Sequence, residues 1–429
     1  MTARERDHVV ILGAGFGGLA AARELADAPV EVTIVDQNNF HTFQPLLYQV
    51  ATSGLASADV AYPVRGIVAR QDNLSFRQAT VVGADLDGKR LHLRGEHHDV
   101  SDLSFDHLVV AAGAITNTFD IPGVTEYGFP LYNLADAVEL RNHVLERFEA
   151  SEAAPALIDD GSLTFVVVGG GPTGVETAGA LAELIDKVLC HDFPNIEVSR
   201  ARVILLEMLD QILAPFASVS QRHARDALEA RRVEVRLGEE VARVRATEVE
   251  LASGEVIDAH TLVWAAGVKA NPLAEALGLP TAKAGRIPVE ADLSVPDHPG
   301  VWALGDIAAI ADRGRGEGAP LPQLAPVAIQ SGHHAGRQLA RSLAGEPTRP
   351  FRYRNKGTMA TIGRSHAVAE LPLGIKLRGL PAWLAWLGLH LVFLAGFRNR
   401  VSVFVNWAWN YLTWDRGPRL IFRGPRRDR

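Results

Sequence analysis

Two glycine-rich segments have the residue types and spacing that hold a pyrophosphate. Residues 13–18 read Gly-Ala-Gly-Phe-Gly-Gly, and residues 169–174, which lie 156 positions later, read Gly-Gly-Gly-Pro-Thr-Gly. Each segment follows a β-branched run and precedes a helix-favouring stretch, so the order strand, tight turn, helix is predicted. In such a unit the first glycine permits the turn, the second lets the backbone approach the phosphates, and the third lets the helix pack on the strand. The pyrophosphate then lies on the free N–H groups at the helix start.

A carboxylate follows each of these units, at the end of the next predicted strand. Residues 30–35 lead to Asp36, and residues 202–206 lead to Glu207. A carboxylate at this place accepts hydrogen bonds from the ribose hydroxyls of the bound dinucleotide. At Glu207 it also repels a 2′-phosphate, so the second unit is predicted to bind NADH and not NADPH.

A third correspondence indicates internal duplication. The segment Leu-Val-Val-Ala-Ala-Gly at 108–113 matches Leu-Val-Trp-Ala-Ala-Gly at 262–267, an offset of 154. Because the two offsets are nearly equal, the chain is predicted to contain two homologous nucleotide-binding domains. A further apolar run at 301–304 leads to Gly305 and Asp306. This run reads as another strand that presents a carboxylate at its end.

Three more segments narrow the class of protein. They are residues 39–54, 321–332 and 353–364, which begin Asn-Phe-His-Thr-Phe-Gln, Leu-Pro-Gln-Leu-Ala-Pro and Tyr-Arg-Asn-Lys-Gly-Thr. Together with both glycine motifs and an aromatic C-terminal tail, they closely resemble the type II NADH dehydrogenases, the single-chain NADH:quinone oxidoreductases of the two-dinucleotide flavoprotein superfamily. The single cysteine, Cys190, agrees with this, because disulfide reductases and sulfide:quinone reductases need a redox-active cysteine pair.

The resemblance implies an α/β fold with two Rossmann-like dinucleotide-binding domains, an FAD domain that is split by an inserted NADH-binding domain, and a C-terminal amphipathic membrane-binding helical segment. The implied division places FAD binding in residues 1–115 and 290–350, a connecting segment in 116–160, NADH binding in 161–289, and membrane anchoring with dimerisation in 351–429.

The resemblance also implies which residues hold the cofactor and the reductant. Those implied for non-covalent FAD are Gly13, Gly15, Phe16, Gly17, Gly18, Asp36, Gln37, Ala112, Gly113 and Asp306. Those implied for NADH are Gly169, Gly171, Pro172, Thr173, Gly174, Glu207, Ala266 and Gly267.

Glu176 and Gln330 are the implied catalytic residues. Glu176 lies in the predicted first turn of the second dinucleotide helix, where the macrodipole favours a negative charge. It is expected beside the nicotinamide–flavin contact, where it positions NADH or relays protons; the alternative is a helix-start carboxylate with no chemistry. The family's quinone motif Ala-Gln-x-Ala-x-Gln reads Ala-Pro-Val-Ala-Ile-Gln at 325–330. Because Pro326 replaces the first glutamine, only Gln330 is carried over.

The C-terminal region differs in composition from the rest of the chain. The net charge of −7 argues against a nucleic-acid partner, yet from Lys376 onward ten side chains are basic and two are acidic. Five of the seven tryptophans lie there as well. Residues 379–397 carry no charge, but Pro381, His390 and basic flanks on both sides argue against a transmembrane span.

Aromatic residues followed by arginines between 416 and 429 suit the headgroup region of a membrane. A monotopic tail is therefore predicted, with a spanning tail as the alternative. The N-terminal segment has no apolar signal stretch, so the chain is expected to stay in the cytoplasm. The resemblance adds a homodimer on the cytoplasmic face of the inner membrane, with a membrane quinone as acceptor and no proton pumping.

Two other functions fit the glycine motifs. One is a soluble NADH-dependent reductase of a ferredoxin-like acceptor, and the other is an NADH-sensing flavoprotein that recruits a partner. The quinone-side segments and the tail favour the quinone reductase over both. The histidine pairs at 97–98 and 333–334 point their side chains in different directions, so no metal site is predicted.

Overall fold

The computed structural model describes residues 6–95, 99–312, 320–415 and 417–422. His97, His98 and most of the arginines that the sequence assigned to a lipid surface lie outside these ranges; these arginines are Arg416, Arg423, Arg426, Arg427 and Arg429. Contacts within the chain group it into two units. Unit 1 comprises Met1–His41, Tyr62–Ile115 and Val268–Asn355, and unit 2 comprises Thr42–Ala61, Thr116–Gly267 and Lys356–Arg429.

Unit 1 is built on a five-stranded parallel sheet. In spatial order its strands are Val301–Ala303, His107–Val110, Asp7–Leu12, Val30–Asp36 and Leu74–Gln78. β-Branched side chains suit this pleated surface, and those of Val9, Val10 and Ile11 are completely buried. Burial of consecutive residues is typical of a parallel sheet that is covered on both faces.

The first dinucleotide helix, Phe16–Glu24, packs on the helix Ala325–Leu343 in unit 1. Small residues permit this close approach, since a Cβ at Gly332 would lie 2.3 Å from the carbonyl oxygen of Gly17. The described residues of unit 1 also form the helices and 3-10 turns Val64–Val68, Leu273–Ala276, Lys283–Gly285 and Gly305–Ile307. They further form an antiparallel sheet of Thr80–Asp85, Arg90–Arg94 and Val100–Ser104, the parallel pair Ile287–Pro288 and Ala308–Ala309, and the strand Val268–Ala270.

Unit 2 repeats the parallel sheet in the same arrangement. In spatial order its strands are Gly128–Pro130, Thr261–Trp264, Thr164–Val168, Arg202–Glu207 and Val233–Leu237. Its antiparallel sheets are Val241–Val244 with Glu248–Leu251 and Val256–Asp258, and Thr358–Gly363 with His366–Glu370 and Lys376–Arg378. The strands Phe40–Thr42, Ala61–Pro63 and Ala114–Thr116 include points where the chain passes between units.

The second dinucleotide helix is Pro172–Leu184, and a π-helical turn, Ile185–Leu189, continues it. The other described helices of unit 2 include Leu47–Ala51, Ser57–Val60, Val124–Tyr127, Leu134–Ala153, Cys190–Asp192 and Ser218–Glu229. Its 3-10 turns include Gln44–Leu46, Pro155–Ile158, Val198–Arg200 and Pro372–Gly374.

The two sheets differ in the origin of the outermost strand. Unit 1 takes Val301–Ala303 from the chain that follows the inserted unit, whereas unit 2 takes Gly128–Pro130 from the chain that precedes its own glycine motif. The origin of Val301–Ala303 is what an insertion requires, because the chain that returns to unit 1 must complete the interrupted sheet.

The chain returns to unit 1 at residue 268. Ala270 and Ile287 belong to the core of unit 1, although the sequence-based division placed them with the NADH-binding domain.

The C-terminal tail of unit 2 consists of two helices. The first tail helix is Leu380–Phe393 and the second tail helix is Phe397–Thr413. The charge-free segment predicted at 379–397 is thus interrupted, because Leu394 is extended and Gly396 has φ +82°. No helix in the described part of the chain combines the length and the apolarity that a membrane crossing requires.

Polar side chains fasten the second tail helix to the segment Ser57–Val60 and its neighbours in unit 2. Asn399 donates from Nδ2 to the carbonyl oxygens of Ala58, Asp59 and Ala61 at 3.1, 3.2 and 2.9 Å. Asp59, which is buried, accepts from Ser402 Oγ at 2.6 Å and from the adjacent turn. Because each of these groups is paired, the helix docks through a polar seam and leaves much of its apolar surface outward.

Candidate functional site

The first glycine motif has the geometry of a pyrophosphate cradle. Gly13 has φ +108°, and a Cβ there would lie 2.5 Å from the carbonyl oxygen of Ala111. A Cβ at Gly18 would lie 1.9 Å from the carbonyl oxygen of Gly13, so helix and strand touch backbone to backbone. At Gly15 a Cβ would meet no atom within 4 Å. The space beside Gly15 and the helix N-terminus is therefore open to a phosphate.

A cavity of about 140 Å³ lies beside this motif in unit 1. Its lining includes four of the residues that the sequence assigned to FAD, namely Gly13, Asp36, Gln37 and Ala112. Strand ends and the glycine turn converge there, as in the crevice where dinucleotides bind to open parallel sheets. The residues present therefore fit the adenosine and pyrophosphate portion of FAD.

Asp36 lies at the edge of this cavity with part of its hydrogen-bonding capacity already used. Its carboxylate accepts from the N–H of Ala14 at 2.7 Å and from the N–H of Asn38 at 2.8 Å. Burial raises the pKa of the Asp36 carboxyl above its usual value, and these two hydrogen bonds oppose that rise. An ionised carboxylate has about four acceptor positions, so ribose hydroxyls can still bind.

The other residues assigned to FAD lie in unit 1 as well. A Cβ at Gly17 would lie 2.4 Å from Leu304 Cδ1, so glycine is needed for packing there. The Phe16 ring meets the His41 ring edge to face at 5.0 Å. Gly113 has φ +71°, and Asp306 is the middle residue of the 3-10 turn Gly305–Ile307.

The second glycine motif repeats the first in unit 2. Gly169 also has φ +108°, and its Cβ would lie 2.5 Å from the carbonyl oxygen of Ala265. A Cβ at Gly174 would lie 1.8 Å from the carbonyl oxygen of Gly169, while a Cβ at Gly171 would meet nothing within 4 Å. The same open space at the middle glycine indicates the same kind of ligand.

Glu207 repeats the contacts of Asp36. It accepts from the N–H of Gly170 at 2.5 Å and from the N–H of Leu209 at 2.9 Å. In each unit, then, the carboxylate at the strand end holds the residue after the first motif glycine. This contact sets the carboxylate at the mouth of the motif, where a ribose would lie.

The remaining residues assigned to NADH border the second motif. Pro172 opens the second dinucleotide helix, where its missing N–H costs nothing. The carbonyl oxygen of Thr173 accepts from Thr177 Oγ1 at 2.6 Å. Ala266 and Gly267 follow the strand Thr261–Trp264, and Gly267 has φ +138°.

Glu176 is buried beneath the strand Thr358–Gly363 and the tail. Only 9% of the residue is exposed. Burial raises the pKa of its carboxyl to about 8, although Thr361 N–H donates to Oε1 at 3.2 Å and the Trp386 side chain also hydrogen-bonds it. The predicted position in the first turn is wrong, because Glu176 is the fifth helical residue, and its carboxyl is neutral below about pH 8. Its role beside the nicotinamide–flavin contact stays a prediction.

The side-chain amide of Gln330 forms two hydrogen bonds with the backbone of Arg354. Its Nε2 donates to the carbonyl oxygen of Arg354 at 3.0 Å, and its Oε1 accepts from the Arg354 N–H at 3.0 Å. This reciprocal pair fixes the side chain within unit 1. Its assignment to the quinone side stays a prediction.

A second cavity, of about 120 Å³, lies in unit 2, and we call it the aromatic cavity. Four separated parts of the chain line it: residues 48–54, Ala180 with Glu183 of the second dinucleotide helix, residues 361–364 and residues 383–414. Its aromatic lining is Tyr48, Trp383, Trp386, Trp407, Tyr411 and Trp414. Flat side chains of this kind suit a flat, mostly apolar ligand.

Hydrogen bonds order the polar side chains in the wall of the aromatic cavity. Gln49 Oε1 accepts from Trp407 Nε1 at 2.8 Å, and Gln49 Nε2 donates to the Tyr48 hydroxyl at 2.8 Å. Asn410 Nδ2 donates to the carbonyl oxygen of Gly54 at 3.1 Å. The wall is therefore preformed by contacts between the tail and the segment at 48–54.

The second dinucleotide helix connects the second glycine motif to this cavity. A Cβ at Gly179 would lie 2.4 Å from the carbonyl oxygen of Ile362, so the helix touches the strand Thr358–Gly363 closely. Glu176 and Glu183 lie two turns apart on this same face. Glu183 accepts from the N–H of Arg364 at 2.6 Å and forms an ion pair with Arg231 at 3.1 Å.

Comparisons with known proteins agree with this geometry. The family model for pyridine nucleotide-disulphide oxidoreductases matches residues 7–332, and that for the NDH2 C-terminal domain matches residues 355–414. The type II NADH:quinone oxidoreductase NdhA of Mycobacterium tuberculosis is 38% identical over 97% of this chain and 89% of its own length. The corresponding protein of Staphylococcus saprophyticus is 31% identical over 85% and 90%.

Solved structures show the same fold. NDH2 from Plasmodium falciparum in complex with NADH has a TM-score of 0.87 at 20% identity, with 97% of this chain and 100% of that chain covered. The fold and both motifs thus define a pyridine-nucleotide oxidoreductase with two dinucleotide-binding folds. Within that class, the chain belongs to the type II NADH:quinone oxidoreductases. The predicted family, the α/β fold with a C-terminal helical segment, and the dependence on FAD and NADH are confirmed.

Alanine at Gly171 is expected to weaken NADH binding without changing the fold. The backbone of Gly171 has φ −71°, which alanine adopts readily, and the new methyl would enter only the open space of the motif. The KM for NADH, measured with ferricyanide as acceptor, should rise about tenfold, which is about 1.4 kcal/mol. Gly388→Ala, where a Cβ also meets nothing within 4 Å, is the control. An unchanged KM in Gly171→Ala would mean that NADH does not bind at this motif.

Proposed function

We propose that the chain oxidises NADH with FAD and reduces a membrane quinone that binds in the aromatic cavity. The observation that carries this proposal is the cavity itself, whose wall joins the tail to the helix of Glu176 and the NADH-binding motif. The overall reaction converts NADH, one proton and quinone into NAD⁺ and quinol. The chemistry that bound FAD supplies is acceptance of a hydride from NADH and release of two electrons to quinone.

The two glycine motifs hold the two dinucleotides in this proposal. The free N–H groups at the starts of the two dinucleotide helices bind the pyrophosphates, and Gly15 and Gly171 leave the room that the phosphates need. Asp36 and Glu207 accept from the adenosine riboses. Because Glu207 is a carboxylate at the place where NADPH carries its 2′-phosphate, NADH is the reductant.

Glu176 supplies a proton on the quinone side of the reaction. Quinone reduction takes up two protons, and a carboxyl whose pKa is about 8 still carries its proton at neutral pH. The Trp386 contact holds this carboxyl next to the wall of the aromatic cavity. Gln330, the other residue assigned to catalysis, orients the backbone at Arg354.

The tail attaches the protein to the surface of a membrane in this proposal. Its two helices expose large apolar side chains, among them Val392, Phe397, Phe404 and Leu412, while a monomeric soluble protein rarely exposes a large apolar patch. Interfacial attachment on the cytoplasmic face brings the aromatic cavity within reach of quinone in the bilayer. The tail would also help to pair two copies into a homodimer.

Tryptophan at Leu387 is expected to block quinone reduction. Leu387 lines the aromatic cavity, so a larger ring there takes the space of the headgroup. In anaerobic stopped-flow, reoxidation of the NADH-reduced protein by a short-chain quinone should slow at least tenfold, about 1.4 kcal/mol. Reduction by NADH should keep its wild-type rate, because the dinucleotide motifs are unchanged.

The matched control is Leu389→Trp on the same helix. Leu389 is exposed and does not line the cavity, so this variant should reoxidise at the wild-type rate. Equal reoxidation rates in Leu387→Trp and wild type would place the quinone elsewhere. Reoxidation that takes minutes in the wild type would contradict quinone reduction altogether.

A further inference from the structure

Arg364 occupies an unusual position in the wall of the aromatic cavity. It follows the strand Thr358–Gly363, and the second tail helix and its end fold over its side chain. The guanidinium carbon lies 4.0 Å from the ring centroid of Tyr411 and 4.1 Å from that of Trp414. Both distances are well within the range of cation–π attraction, so the two rings hold the guanidinium in place.

One nitrogen of this guanidinium has no acceptor. Arg364 Nη1 is buried, and no hydrogen-bond partner for it exists among the residues that the structure describes. Of the described side chains that line the aromatic cavity, no other has a buried nitrogen or oxygen in this condition. A buried, charged N–H without an acceptor destabilises the protein, and a ligand that brings an oxygen removes that penalty.

The neighbouring carboxylate does not supply the missing acceptor. Glu183 lines the same cavity, but its Oε1 accepts from the backbone N–H of Arg364 and pairs with Arg231. The Arg231 Nη2 in turn donates to the carbonyl oxygen of Arg364 at 3.1 Å. These bonds fix the backbone of Arg364 while its side chain points to the aromatic residues.

We propose that Arg364 binds a carbonyl oxygen of the quinone headgroup through Nη1; this rests on the proposed function. A flat ring with a peripheral oxygen matches a cavity whose walls are aromatic and whose buried unpaired donor lies at one side. An arginine keeps its charge across the physiological pH range, so Arg364 donates a hydrogen bond and transfers no proton. Because negative charge grows on the quinone oxygen as electrons arrive, the contact strengthens during reduction.

The alternative role for Arg364 is to fasten the tail through its two aromatic neighbours. The two roles make different predictions for Arg364→Met, which keeps an unbranched apolar chain but removes the charge and the donors. Loss of a headgroup contact lowers kcat/KM for quinone and leaves the tail in place. Loss of a fastener releases the tail, which trypsin then cleaves at the exposed Arg398 and Arg400.

The test compares wild type, Arg364→Met and Arg378→Met as holoenzymes with a short-chain quinone and, separately, with ferricyanide. Arg378 is an exposed arginine of the strand Lys376–Arg378, so its variant controls for the loss of a positive charge. We expect kcat/KM for quinone to fall about 10- to 100-fold in Arg364→Met alone. The rate with ferricyanide and the tryptic cleavage of the tail should match the wild type.

Two results would overturn the role of Arg364. One is a kcat/KM for quinone within twofold of the wild type, and the other is a loss of turnover that accompanies faster cleavage of the tail. The failure of the proposed function looks different. In that case the wild type does not reduce quinone, or Leu387→Trp reduces it normally, whatever Arg364→Met does.

Discussion

The free energy of unfolding of the wild type is expected to fall as pH rises from about 4.5 to about 8, and replacement of Glu176 by glutamine is expected to remove most of this fall. Burial raises the pKa of this carboxyl from 4.5 to about 8 in the folded protein. Between these values the folded protein keeps a proton that the unfolded chain has released. The free energy of unfolding of the wild type therefore falls with pH over this window.

The size of the effect follows from the separation of the two pKa values. At about 1.36 kcal/mol for each pKa unit, the full effect is about 5 kcal/mol. Below pH 4.5 the carboxyl is protonated in both states, so wild type and Glu176→Gln should be equally stable apart from small packing differences. Above pH 8 glutamine, which is never charged, should make the variant more stable by nearly the full amount.

Thermal unfolding of both proteins at pH 5, 7 and 9 would measure this difference. The gap in Tm should widen steadily in favour of Glu176→Gln as pH rises. Glu126→Gln, at an exposed position on a short helix, is the control and should follow the wild type at each pH. Parallel curves for wild type and Glu176→Gln would mean that the carboxyl ionises in the folded protein as it does in water.

The dinucleotide motifs could be predicted because their chemistry constrains the backbone directly. Gly13 and Gly169 share φ +108°, and a Cβ at Gly18 or Gly174 would strike a carbonyl oxygen at 1.9 or 1.8 Å. No residue with a side chain satisfies these demands, so the requirement is visible in the sequence. The paired contacts of Asp36 and Glu207 follow from the same local geometry.

The environment of Glu176 could not be predicted in this way. Its position on the helix is local, but its burial depends on Thr361 and Trp386, which come from segments far along the chain. The helix dipole is a weak influence next to removal from water, so the charge of Glu176 depends on its burial more than on its place in the helix.

The lining of the aromatic cavity could not be predicted either, because it depends on contacts between distant segments. Its lining comes from four separated segments, and Asp59 and Asn399 help to bring two of them together through hydrogen bonds. The resemblance singled out the segments at 39–54 and 353–364, but which side chains face one cavity depends on that docking. The role of Arg364 could not be predicted, because an arginine after a strand carries no signal of its own.

The tail is better tested by point substitutions than by deletion. Removing the chain after residue 378 would also remove Trp386, which is 1% exposed and hydrogen-bonds Glu176. Asp59 would also lose its hydrogen-bond donors Ser402 and Asn406. A truncated protein would therefore lose quinone turnover through damage to the core, even if the tail had no contact with lipid.

The double variant Phe397→Glu with Phe404→Glu is expected to abolish binding to membranes. These side chains are 80% and 58% exposed and lie seven residues apart, on one face of the second tail helix. Each phenylalanine that enters the interface contributes about 2 kcal/mol, so their combined loss is about a thousandfold in the partition coefficient. The glutamates would also repel anionic lipid.

Sedimentation with vesicles of phosphatidylcholine and phosphatidylglycerol would measure this partition. The double variant should still reduce ferricyanide and a short-chain quinone, because the lining of the aromatic cavity is unchanged. Val100→Glu with Val256→Glu replaces exposed apolar residues outside the tail and should bind vesicles normally. Wild-type partition of the Phe397 and Phe404 variant would contradict the attachment. The same apolar side chains could instead be covered by the tail of a second copy. A change from dimer to monomer in the Phe397 and Phe404 variant would then show that this face of the second tail helix is an interface between two copies.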